Sequence, residues 1–120
     1  MENNLNNNDE NFIFHMGESI FNYQNKTLIT NNEIPKNLSY KETEILRLLI
    51  NVNDDNIITK EYILKEIWGY SLIHDDLSII NIYRSIDVYI NKLRNHFKND
   101  KYIEIINIHG KGFWIKDSSK

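Results

Sequence analysis

Arg84, Ser85, Val88, Asn91, Lys92 and Asn95 combine the side-chain types that read a double-stranded nucleic acid. The two cations suit phosphates or guanine, the two amides suit an adenine edge, and Val88 suits a thymine methyl. On a helix turning about 100° per residue, these six share one side. Ile86, Ile90, Leu93 and Phe97 fall opposite them as a narrow apolar stripe. Asp87 falls on the flank, and no acid lies on the polar arc. Val88 is the informative member, because a solvated helix face gives a β-branched apolar residue little to do. The plain alternative is a surface helix with ordinary Lys, Arg and Asn and one scattered Val.

A second group follows closely. His109 and Lys111 alternate with Gly110 and Gly112. Glycines let a backbone approach a phosphate or enter a minor groove closely. The competing reading is a hairpin whose glycines serve turn geometry alone. Charge is distributed to match the first reading. The net charge is −3, but residues 1–83 hold 6 Lys and Arg against 13 Asp and Glu. Residues 84–120 hold 8 against 4, a basic patch on an acidic body.

Other chemistries find little support. The chain has no Cys, which removes disulfides, thiolate zinc sites and cysteine nucleophiles. His15, His74, His96 and His109 show no H-x-x-x-H or H-E-x-x-H spacing, and no nucleophile motif or glycine-rich phosphate loop occurs. His74-Asp75-Asp76 reads as a solvated loop rather than a metal site. No enzyme, cofactor or metal is expected. The N-terminus is acidic and Asn-rich, unlike a secretory signal. No run approaches the roughly 18 apolar residues of a membrane span. The expectation is a soluble, cytoplasmic protein with no membrane partner.

The elements that must carry these groups follow from local pattern. A chain of 120 residues suits one small domain. Residues 1–11 are polar and of low complexity, and read as a tail or linker. Phe12–Phe14, Ser19–Tyr23 and Lys26–Ile29 read as short strands, punctuated by Gly17, Asn25 and Asn31-Asn32. A fourth piece lies near Glu33–Lys36, where Pro35 suits an edge. Ser39-x-x-Glu42 has capping-box form, with Leu38 placed as a hydrophobic staple, and opens a helix ending near Asn51. Residues 53–56 read as a turn, and Ile57-Ile58 as a two-residue strand. Thr59 caps a second helix, Lys60–Trp68, stopped by Gly69. Residues 70–80 are ambiguous, with Asp75, Asp76 or Ser78 as alternative caps. A third helix runs from Tyr83 to Lys98. Residues 102–108 and 113–115 form a hairpin around residues 109–112. The fold class expected is α+β: a winged helix-turn-helix with an N-terminal antiparallel sheet, three helices and a C-terminal wing over residues 12–117.

Residues 84–94 (RSIDVYINKLR) resemble the recognition helix of the OmpR/PhoB-type winged-helix domain. Residues 106–113 (INIHGKGF) resemble its wing, residues 38–46 (LSYKETEIL) its first helix, and residues 67–69 (IWG) the end of its second. The resemblance implies the output domain of a bacterial two-component response regulator, either excised from its receiver domain, with residues 1–11 as the linker, which is the favoured reading, or a stand-alone regulator. It implies binding to direct-repeat promoter DNA as a head-to-tail dimer, and control of transcription. By position, Arg84 and Tyr89 would hold phosphates, while Val88, Lys92 and Asn91 would meet base edges. His109 and Lys111 would serve in the wing. Thr59 and Lys60 would add phosphate contacts at the positive end of the second helix. Asp87 matches a family acid read as structural. The 69–83 loop would contact RNA polymerase.

Three features depart from the family. His109 stands where Arg is common, Asn91 and Asn95 make the helix less basic, and the stretch from Gly69 to Arg84 is longer than usual. The competing function is a winged-helix module that binds protein, with Phe113-Trp114 and residues 77–80 as its surface.

Overall fold

Residues 12–51, 57–69 and 76–119 are described by the computed structural model. Four short strands come first: β1 (Ile13–Met16), β2 (Ser19–Asn22), β3 (Thr27–Thr30) and β4 (Lys36–Asn37). They form an antiparallel sheet in sequence order, with Phe14 opposite Phe21 and Phe21 opposite Leu28. Alternation along β2 and β3 places Ser19, Phe21, Leu28 and Thr30 inward, all buried. The inward pair Ser19 and Thr30 is joined hydroxyl to hydroxyl at 2.9 Å, so no polar group is stranded there. The fourth strand starts just after Pro35 rather than spanning it. It lies at the sheet edge, where proline's missing donor is harmless.

Helix α1 (Tyr40–Asn51) begins where the capping box places it. The Glu42 carboxylate accepts from the Ser39 N–H at 2.8 Å, and the Ser39 hydroxyl accepts from the Glu42 N–H at 3.2 Å. Leu38 is buried before the cap. Ile45, Leu46, Leu48 and Leu49 then give α1 a buried face.

Thr59 caps α2 (Lys60–Ile63), its side chain accepting from the Tyr62 N–H at 3.0 Å. The α-helix expected to Trp68 lasts only to Ile63 and widens into a π-helical turn, Leu64–Gly69. Six residues of apolar periodicity do not distinguish a π turn from an α turn, which is why the sequence pattern missed it.

The third helix, α3 (Asp76–His96), begins seven residues before Tyr83 and ends two before Lys98. Ser78 lies inside it and is not its cap. Asp76 occupies the first turn, where a carboxylate suits the helix dipole. No Gly or Pro interrupts residues 76–96, so the ambiguous apolar run simply extends the helix. Asp75 and residues 70–74 lie outside the described residues, as do residues 1–11 and 52–56.

Strands β5 (Ile103–Ile108) and β6 (Gly112–Asp117) form the terminal hairpin. Ile58 joins it through a single bridge to Phe113, with N–H to carbonyl bonds of 2.9 and 2.8 Å. This contact explains Gly112. A Cβ there would lie 2.1 Å from the Ile58 carbonyl oxygen, so the position requires glycine.

The core lies between the sheet, α1, the inner stripe of α3 and the hairpin. Phe21, Leu28, Ile45, Leu46, Leu49, Ile63, Ile86, Ile90 and Leu93 are almost wholly withdrawn from water. Each fully buried Leu, Ile or Phe contributes about 1.5–3 kcal/mol of transfer free energy.

One polar contact braces α1 against α3. Glu42 Oε2 lies 3.0 Å from His96 Nε2, and Lys36 Nζ donates to the His96 carbonyl at 3.0 Å. Burial pushes the Glu42 carboxyl up, but hydrogen bonding to Ser39 and the positive charge of His96 outweigh it, and the group is held below its ordinary value. A depressed carboxylate stabilises the fold above the ordinary value of 4.5, and that contribution disappears as pH falls through the folded value. Glu42→Gln is expected to cost about 1 kcal/mol at pH 7. Urea midpoints of the two proteins should converge on the acid side. A gap independent of pH would mean that the carboxylate's charge contributes nothing.

Candidate nucleic-acid interface

The outward side of α3 stands open. Arg84, Val88, Asn91, Lys92 and Asn95 are exposed, and Ser85 and Tyr89 are half-buried. Val88 keeps 51% of its surface in water, while Ile86, Ile90 and Leu93 on the opposite side keep none. The exposed arc therefore exists in three dimensions as the periodicity requires, and the chain's own sheet does not cover it. Tyr89 rests against Trp68 with ring centroids 6.4 Å apart, and Lys92 Nζ lies 5.7 Å from the Tyr89 centroid. An indole, a phenol and an ammonium thus lie side by side from the π-helical turn to α3.

The N-terminus of α2, the flank of α3 and the wing line one groove. Thr59, Lys60, Asp87, Asn91, His109 and Lys111 all border it. His109, Gly110 and Lys111 are exposed at its rim. Gly110 takes a left-handed φ of +73° with open space around it, so its part is the turn itself. Gly112 serves the Ile58 bridge. The wing's two glycines are thus accounted for by the fold, and Lys111 and His109 remain as the tip's chemistry.

Two expected phosphate contacts are already engaged. The Thr59 side-chain oxygen is committed to the α2 cap. Lys60 Nζ sits 2.9 Å from Asp87 Oδ2, with both side chains about a third to half exposed. Such a pair stabilises by well under 1 kcal/mol, and it shares the Lys60 charge with Asp87. Asp87, which the family resemblance reads as structural, spends one carboxylate oxygen on this pair with α2.

The family described as transcriptional regulatory protein, C terminal, matches residues 33–115. The chain belongs to this family. Its winged-helix architecture is that of OmpR/PhoB-type response-regulator domains. It is 41% identical over 106 residues to the transcriptional regulatory protein RprY of Bacteroides fragilis, covering 88% of this chain and 41% of that protein. The chain spans less than half the length of the curated relatives it matches. Its fold is also that of the Thermotoga maritima response regulator DrrB, an OmpR/PhoB homolog. The TM-score is 0.65 at 22% identity, covering 88% of this chain and 44% of that one. The DNA-binding domain of Klebsiella pneumoniae RstA, solved in complex with the RstA box, superposes at a TM-score of 0.61 with 19% identity. That match covers 87% of this chain and 96% of the RstA chain.

Against this family background, the winged-helix domain uses one residue that helical periodicity left aside. Arg94 falls between the arc and the apolar stripe and reaches the wing, bonding the Ile105 carbonyl and Asn107 Oδ1 as well as Asn91 Oδ1. An Arg at the edge of a polar arc, three residues after an Asn, was the available signal; its partners on β5 were not readable. Residues 76–83, taken with the 69–83 loop, are helical, and Leu77 and Ile80 are exposed on that extension. His74 and Asp75 lie outside the described residues. Among the described residues no helix is long and apolar enough to cross a membrane.

Proposed function

We propose that the outward side of α3 enters the major groove of double-stranded DNA and that the wing lies on the adjacent backbone or minor groove. The chain is then the output domain of a two-component response regulator, controlling transcription in the bacterial cytoplasm. The observation that carries this reading is Val88. A half-exposed valine at the centre of Arg84, Ser85, Asn91, Lys92 and Asn95 gives a helix face with cation, amide and methyl contacts, and none of these six residues is acidic. Family membership and the RstA complex support it. Arg84, Tyr89, Thr59 and Lys60 serve phosphates, the last two mainly through the α2 N-terminus. His109 and Lys111 serve the wing. Binding is to direct repeats as a head-to-tail dimer, and the 69–83 stretch, of which residues 76–83 form the first turns of α3, contacts RNA polymerase.

The test is selection of bound sequences from a random duplex pool. A direct repeat spaced by about one helical turn is the expected outcome. Affinity should fall with a slope against log salt of about −0.9 per phosphate neutralised. Binding without sequence preference would overturn the assignment.

The wing's share can be measured separately. Lys111→Ala is expected to weaken specific and random DNA about equally and to flatten the salt slope by about 0.9. A loss confined to the selected sequence would mean that the tip reads bases.

A further inference from the structure

Arg94 joins α3 to the wing through all three nitrogens of its guanidinium. Its Nε donates to the Ile105 carbonyl at 2.9 Å, and Nη2 donates to Asn107 Oδ1 at 2.6 Å. From the other side, Nη1 donates to Asn91 Oδ1, within α3 itself, at 2.8 Å. The side chain is half-buried. A planar group is thus pinned between the helix and β5. Resting on the DNA reading above, we propose that Arg94 is a positioning residue that locks the wing to α3, so that the phosphate contact of Lys111 depends on Arg94.

The hairpin's construction shows why it needs such a brace. Strands β5 and β6 form a two-stranded sheet, and a ribbon of that kind has little stability of its own. Its base is anchored, because Ile103, Ile105 and Phe113 are buried and Phe113 is bridged to Ile58. Its tip is not, because His109, Gly110 and Lys111 are exposed. Asn107 is itself exposed and stands two residues before His109 in the sequence. Arg94 therefore grips the ribbon where its buried base gives way to its tip. A tip held in place before DNA arrives loses less freedom on binding, which leaves more of the Lys111 contact as affinity. Only a guanidinium suits the task, since a rigid fork meets several acceptors at once and a lysine ammonium on a flexible stem does not.

The experiment is a double-mutant cycle on the full chain. Wild type, Arg94→Lys, Lys111→Ala and the double variant are titrated with the selected operator. Arg94→Lys keeps the charge and should still weaken binding by about three- to tenfold, the scale of one ordered side chain. In the Lys111→Ala background the same substitution should cost less than about twofold, because the contact it supports is already gone. Pool selection with Arg94→Lys should recover the wild-type sequence, since α3 still reads the bases. Equal losses in the two backgrounds overturn the proposal, because a merely structural Arg94 acts without regard to Lys111. Wild-type affinity in Arg94→Lys also overturns it, as would be found for a plain phosphate contact that needs only charge. So does a Lys111→Ala chain that binds as wild type does. If Arg94→Lys melts before it can be assayed, Asn107→Ala removes one anchor of the brace and must show the same coupling to Lys111→Ala by a smaller factor; additive losses overturn the proposal. A wild-type chain that selects no sequence defeats the DNA reading itself, whereas additive losses on a chain that does select one defeat only the Arg94 assignment.

Discussion

Asp100→Ala is expected to destabilise the domain by about 3–5 kcal/mol, a large share of the 5–15 kcal/mol typical of a whole domain. Asp100 is almost fully buried in the turn after α3. Its Oδ2 accepts from the Glu18 N–H at 2.9 Å and from the Ser19 hydroxyl at 2.5 Å, and its Oδ1 accepts from the Tyr102 N–H at 3.0 Å. Glu18 and Ser19 belong to the start of the sheet, so one carboxylate ties the β1–β2 turn to the segment between α3 and β5. Alanine leaves three donors without that acceptor, and the cost is their desolvation together with the lost bonds. Gly17 belongs to the same arrangement. A Cβ on it would lie 2.7 Å from Asp100 Oδ1, and its φ of +53° already favours glycine. Asp100→Asn keeps one oxygen and should fall between wild type and Asp100→Ala. Urea denaturation followed by circular dichroism measures all three. A loss below 1 kcal/mol for Asp100→Ala would show that water replaces the carboxylate at little cost.

Lys92→Ala should weaken binding to the selected operator by about 1–3 kcal/mol and relax preference at the base pairs it faces. Lys92 is exposed on the arc, one turn after Val88, with its Nζ 5.7 Å from the Tyr89 ring centroid. It is exposed, on another side of α3 from the buried stripe, so the substitution should leave the melting temperature unchanged. Operator and random duplexes titrated at one salt concentration separate the roles. A base reader loses affinity for the operator selectively. Equal loss on both would reassign Lys92 to a phosphate.

Much of the candidate interface was legible because helical signals are local. The stripe of Ile86, Ile90, Leu93 and Phe97 repeats at helical spacing, and burying it turns the Val88 side outward without reference to any other segment. The Ser39–Glu42 box was legible for the same reason, since its partners are three residues apart. The start of α3 was not. Leu77, Ile79, Ile80 and Ile82 are apolar at spacings that fit either a strand or a helix, and Leu77 and Ile80 remain exposed. The pairing of Lys60 with Asp87 was equally hidden, because 27 residues separate partners that meet only once α2 packs against α3.

What the order of residues determined by itself was the candidate face: which side of residues 84–95 is apolar, which is polar, and where the wing turns. These depend on periods of two to four residues and on glycine's backbone freedom. What only the tertiary structure decided was how that face is held. Arg94 finds its acceptors 11 and 13 residues away on β5, Asp100 gathers donors more than 80 residues earlier, and Ile58 pairs with Phe113 of the hairpin. A guanidinium or carboxylate in a sequence names what it can bond but not which partner lies within 3 Å. That distance is set by the packing of the core as a whole.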